Sequence, residues 1–156
     1  MNATPTAPLM MTASQWRMAL AQLCQDSALA QPGEESAMLR LGHALLSNLP
    51  DPRSPLGDHL PPAARFEALL AAGAHDSAAL ALVPEMGSYI VSRAGEGGCM
   101  ASVLLPGMEE EMTSEGESPA LALVSALAAA LASCGDEAPA IGEQADWQRP
   151  QGAMLH

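Results

Sequence analysis

The chain contains no lysine. Its positive charge rests on six arginines, Arg17, Arg40, Arg53, Arg65, Arg93 and Arg149, scattered among 18 acidic residues for a formal charge of −12 over 156 residues. Nucleic-acid binding needs clustered cations that displace condensed counterions, so no binding to DNA, RNA or an anionic membrane is expected. The missing lysine also removes a P-loop, a kinase-type lysine and a Schiff-base lysine from consideration. The surplus of acid keeps the protein in solution or offers a surface to a basic partner.

Aromatic residues are nearly as scarce: Trp16, Phe66, Tyr89 and Trp147 are the full set. A hydrophobic fraction of 49% must therefore build its core from Leu, Ala, Val and Met. Thin, Ala-rich interfaces forgo transfer energy at about 25 cal/mol per Å² of missing apolar area. Modest stability, or a partner that covers more apolar surface, follows from that. Cys24, Cys99 and Cys134 form an odd count without CxxC spacing, which fits a reducing compartment. The opening MNATPTAPLMM has neither a basic n-region nor a long apolar h-region and does not read as a signal peptide. The longest apolar run, Ala120–Ala132, falls short of the roughly 20 residues that span a bilayer. The expected location is the cytoplasm.

The organisation is punctuated by proline and glycine. Residues 1–11, with Pro5 and Pro8, read as a disordered N-terminus. Thr12 and Gln15 form a T-x-x-Q capping box, followed at helical spacing by Trp16, Leu20, Leu23 and Cys24. Pro32–Gly33 separates this helix from a second, which opens on Glu34–Glu35 and carries the stripe Met38, Leu41, Leu45 and Leu49. Residues 12–49 thus form a helical hairpin, and the five prolines of residues 50–62 a stiff extended connector.

Residues 63–134 read as an α-ββ-α unit. A third helix carries Phe66, Leu69 and Leu70 and stops at Gly73, and His75–Asp76–Ser77 could cap a short turn through Val83 that is ambiguous between helix and strand. Ser88–Ala94 and Cys99–Leu105 flank Gly95–Glu96–Gly97–Gly98, a hairpin signal because glycine supplies the positive φ of the turn. Alternation places Tyr89, Val91 and Arg93 on one face and Ile90 and Ser92 on the other. Residues 109–117 read as an acidic loop. Ser118 then supplies an N-cap, Pro119 an N1 proline, and Ala120, Leu123, Val124, Leu127 and Leu131 a stripe that ends at Gly135. Residues 135–156 read as a loose tail with Trp147 in it. The expected fold class is α+β: a helical pair plus a helix–β-hairpin–helix unit forming a two-layer or three-layer sandwich.

Two strings within residues 60–133 resemble a known group. Asp76–Ser77–Ala78–Ala79–Leu80–Ala81–Leu82–Val83–Pro84–Glu85 is similar to a segment of phage ABA-sandwich-like short bacterial and phage proteins. Gly116–Glu117–Ser118–Pro119–Ala120–Leu121–Ala122–Leu123 resembles the segment that closes the same unit. The resemblance implies an α/β sandwich of phage or bacterial origin and carries no activity. Met86–Gly87–Ser88–Tyr89 departs from the aromatic that usually follows the Pro-Glu step.

Chemistry-bearing patterns are few. Gly95–Glu96–Gly97–Gly98 begins like a dinucleotide loop, but Met100 holds the third glycine's place and the segment joins two strands. No two histidines lie at i, i+4, and no HExxH occurs, so no metal or cofactor is expected. The trio Cys99, His75 and Asp76 is the one nucleophilic set that can be assembled, and no local signature supports it. No catalytic residue is assigned, and the reading leans away from an enzyme. The candidate interaction residues are Trp16, Tyr89, Arg93 and Trp147. A two-stranded hairpin has unpaired edges that invite strand addition, and ten methionines add adaptable apolar surface. The expected function is a non-enzymatic binding or assembly module of phage or bacterial origin, partnered by a protein or by itself. The alternatives are a small enzyme using Cys99 or a histidine, or an acidic decoy for a basic nucleic-acid-binding partner.

Overall fold

Each helix of the computed structural model, which describes residues 11–134, begins or ends where local chemistry demands it. Helix α1 (Ala13–Leu29) opens on the Thr12 capping box, with the Thr12 side chain accepting from Gln15 N–H and the Gln15 side chain accepting from Thr12 N–H. Helix α2 (Glu35–Ser47) returns beside it. The Trp16 indole N–H donates to Leu45 O at 2.9 Å, tying the start of α1 to the end of α2 as antiparallel helices require. Helix α3 (Ala63–Ala71) stops before Gly73, whose φ of 71° is the left-handed value that favours glycine. The ambiguous segment after it is a helix, α4 (His75–Leu82). His75 is already helical and no side chain caps it.

Helix α5 (Pro119–Ser133) has the Ser118 cap, its hydroxyl accepting from Leu121 N–H at 3.2 Å. It is buried on nearly every side rather than along one stripe. The reason is its place: α5 packs on all three strands of the sheet and also against α1, α2 and α4. Small residues suit such a central helix, because Ala lets several neighbours approach closely. Gly135, the expected stop, lies outside the described residues, as do Trp147 and the rest of residues 135–156 and residues 1–10.

The fold class is α+β, with helices packed on an antiparallel sheet. The hairpin strands are β1 (Ser88–Arg93) and β2 (Cys99–Leu104), in a register pairing Ser88 with Leu104 and Arg93 with Cys99. Gly97 and Gly98 make the turn at φ of 92° and 79°. The sheet has a third strand, however. Met112–Gly116, within the expected acidic loop, is β3, paired antiparallel to β2 in the order β1-β2-β3. Met112, Ser114 and Gly116 face inward while Thr113 and Glu115 face solvent, so the carboxylate is shed to the outside without cost.

The α2 stripe also differs from its expectation. Glu35, Leu39, Gly42 and Leu46 are buried, whereas Leu41 is exposed. Gly42 allows the tip of the Leu82 side chain on α4 to lie where a larger residue would intrude. The proline-rich segment holds a 3-10 turn (Pro55–Gly57) with Leu56 buried. Its C-terminal end is tied down twice, His43 Nε2–H donating to Pro61 O and His59 Nε2–H to Leu82 O, each at 2.9 Å. Trp16, Leu20, Leu39 and Leu46 from the first two helices share one core with Phe66, Leu82, Val103 and Leu127.

Candidate functional site

The side chains that could carry chemistry are mostly engaged in structure. Cys99 is buried on the inner face of β2, opposite Arg93 and Gly116. His75 Nε2 lies 3.1 Å from Ser36 Oγ, and the His43 ring stacks on Phe66 with centroids 4.5 Å apart. Cys24, Cys99 and Cys134 are all free thiols, and burial pushes the Cys134 thiol up from its ordinary value. Among the described residues no three His, Cys, Asp or Glu side chains converge where a metal ion could be held. Among them, too, no helix is long and apolar enough to cross a membrane. Ser125 is used structurally: its hydroxyl donates to Cys24 O at 2.8 Å and pairs with the Ser114 hydroxyl, bridging α5 to α1 and β3.

The candidate interaction residues divide. Trp16 is buried, and its one polar group is satisfied by Leu45 O. Tyr89 and Arg93 come together on the inner face of β1 with Val91, where Tyr89 is 46% exposed. Trp147 lies outside the described residues.

What the structure assembles is an open strand. β1 is at the edge of the sheet, and five of its six residues are exposed while the sixth, Val91, is half-buried. The hairpin turn fixes which of its backbone groups are used. Ala94 N–H donates to Gly98 O at 3.1 Å, so residues 94 and 98 are a hydrogen-bonded pair. Antiparallel pairs alternate, which makes Ile90–Ser102 and Ser92–Met100 hydrogen-bonded pairs as well. The N–H and C=O groups of Tyr89, Val91 and Arg93 therefore point away from β2, toward the open edge.

Native edge strands are usually blunted by proline, lysine, a bulge or extreme shortness. Ser-Tyr-Ile-Val-Ser-Arg has no proline, pairs with β2 without a bulge and carries a single charge, Arg93, at its end. Beside it, on the inner side, is a cleft of about 220 Å³ between β1, α4 and α5, lined by Tyr89, Val91, Leu80 and Leu123 with Asp76 among its walls. On the outer face Ile90, Met100 and Leu104 are exposed, Ile90 to 67%. The other edge strand, β3, lies against α1.

The open edge was legible as an unpaired hairpin. Its polarity, three residues directed outward and three inward, needed the turn geometry. Comparison with known protein families, curated proteins and solved structures found no match.

Proposed function

We propose that the chain is a non-enzymatic assembly module that joins to a second copy of itself through the open edge of β1. The carrying observation is that edge: three outward-facing residues whose backbone is unpaired among the described residues, on an uncharged strand but for Arg93, in a chain of formal charge −12. Strand addition uses such groups directly, main-chain hydrogen bonds giving affinity and alternate side chains giving selectivity. The exposed Tyr89, Ile90 and Leu80 add apolar area beside it. The free thiols support a reducing, cytoplasmic setting. The resemblance of residues 76–85 and 116–123 to phage ABA-sandwich-like proteins supports a phage or bacterial origin.

Sedimentation of the full chain over a range of concentration tests the reading. A dimer is expected, and it should tighten as salt screens the repulsion between two acidic bodies. A decoy for a basic partner behaves the opposite way, losing its partner as salt rises. Val91→Pro separates fold from assembly, because the N–H it deletes points outward and serves no bond to β2. The variant should keep its circular dichroism and sediment as a monomer. A wild-type chain that stays monomeric at every concentration and salt sinks the proposal.

A further inference from the structure

Resting on that reading, we infer that the two copies meet about a twofold axis through Val91, perpendicular to the sheet, setting Tyr89 of each copy against Arg93 of the other. Antiparallel strands related by such an axis keep like faces on one side, so facing residues must share a face. Every register centred on a residue meets that condition, and those centred on Ile90, Val91 or Ser92 overlap the most of the strand.

The backbone decides among them. With Val91 opposite Val91, Tyr89 lies opposite Arg93, and all the outward N–H and C=O groups of Tyr89, Val91 and Arg93 find partners. The register centred on Ile90 sets Arg93 against Gly87, whose N–H is already given to Pro84 O at 2.8 Å. The register centred on Ser92 sets Tyr89 against Gly95 in the hairpin turn. Unpaired groups in a newly buried strand pair carry a desolvation cost, so the Val91 register is favoured.

The side chains agree with the backbone. Facing residues in a hydrogen-bonded pair sit with Cα atoms about 5.5 Å apart, within reach of a guanidinium on a phenol ring. Arg93 has no ion-pair partner among the described residues. In the dimer it lies over the Tyr89 ring of the second copy, beside the cleft that Asp76 also lines. The same approach covers Leu80, 41% exposed in one copy. The product is a continuous six-stranded sheet in the order β3-β2-β1-β1-β2-β3, with the helices of both copies on one face.

A charge-swap cycle on the full chain tests the register by sedimentation equilibrium, with circular dichroism confirming that each variant folds. Tyr89→Lys puts a second cation against Arg93 at two symmetric positions and should weaken the dimer about tenfold. The double variant Tyr89→Lys/Arg93→Glu should return the dissociation constant to near the wild-type value. Within one copy the two residues lie about 13 Å apart along the strand, too far for the rescue to arise internally. A wild-type dimer that Tyr89→Lys leaves unchanged, or that the double variant does not restore, overturns this register while assembly through β1 stands. A wild-type monomer overturns both.

Discussion

Replacing Gly116 with alanine should cost about 3 kcal/mol, whereas the same replacement at Gly42 should cost nothing. Gly116 closes β3 on the inner face of the sheet, opposite Cys99, and two residues later Ser118 caps α5. The chain thus turns from strand to helix with almost no loop, and the first turn of α5 folds back over Gly116. A Cβ there would lie 2.5 Å from Ala122 N, 2.8 Å from Leu121 C and 2.9 Å from Ala122 Cα. All three are backbone atoms of a helix held by its cap and by the core, so no side chain can rotate away. The clash can be relieved only by lifting α5 from the sheet, and overpacking without an escape belongs at the upper end of the usual 1–3 kcal/mol range.

Gly42 differs because the atoms around it can move. Its Cβ would meet Leu82 Cδ1 at 3.0 Å and Leu23 Cδ2 at 3.8 Å, both ends of flexible side chains. Alanine in a helix interior gains about 1 kcal/mol over glycine, which offsets the small repacking. Urea unfolding followed by circular dichroism distinguishes the two. With a slope of about 2 kcal/mol per molar, the Gly116→Ala midpoint should fall by about 1.5 M and the Gly42→Ala midpoint should hold or rise. Equal midpoints for Gly116→Ala and wild type would refute the reasoning about the β3–α5 junction.

Three further outcomes can be measured in the same way. The Ser27 hydroxyl is buried with no hydrogen-bond partner among the described residues, so Ser27→Ala should raise stability by about 1 kcal/mol in urea unfolding, from relief of the stranded group and better helix propensity. Ser118→Ala removes the α5 cap and should lower stability by about 1 kcal/mol. Arg40 grips Glu67 at 2.8 and 3.0 Å, and this hydrogen-bonded guanidinium holds the Glu67 carboxyl below its usual range. A depressed acid stabilises the fold above its ordinary pKa and loses that contribution as pH falls through the lowered value. The difference in Tm between wild type and Arg40→Gln should therefore be present at neutral pH and shrink to nothing in acid below the carboxylate range.

Much of the fold was written in local signals. The capping box at Thr12, the Ser118–Pro119 start of α5 and the glycine turn of the hairpin each combine residues whose backbone needs agree, and each element formed where expected. β3 escaped notice because its inward side is Met112, Ser114 and Gly116, with one sizeable apolar residue among them, flanked by a run of glutamates. What makes it a strand is pairing with β2, a partner that local periodicity does not reveal. The α2 stripe holds in part: Met38, Leu45 and Leu49 pack at the margin of the core, while Leu41 is exposed and Leu39 and Leu46 lie deeper. With Leu39, Leu41, Leu45 and Leu46 all present, several stripes fit the helix, and packing against α1, α4 and α5 selects among them. At the candidate site, Tyr89 and Arg93 could be placed on one strand face from alternation. The direction of their backbone groups became readable only from the Ala94–Gly98 bond.

Amide hydrogen exchange of the full chain, resolved by residue along β1 at rising protein concentration, tests assembly through this edge most directly. In dilute solution the N–H groups of Ile90 and Ser92, bonded to β2, should be protected while those of Tyr89, Val91 and Arg93 exchange freely. As concentration rises, those three should gain protection together. Exchange at Tyr89, Val91 and Arg93 that is independent of concentration would contradict the account.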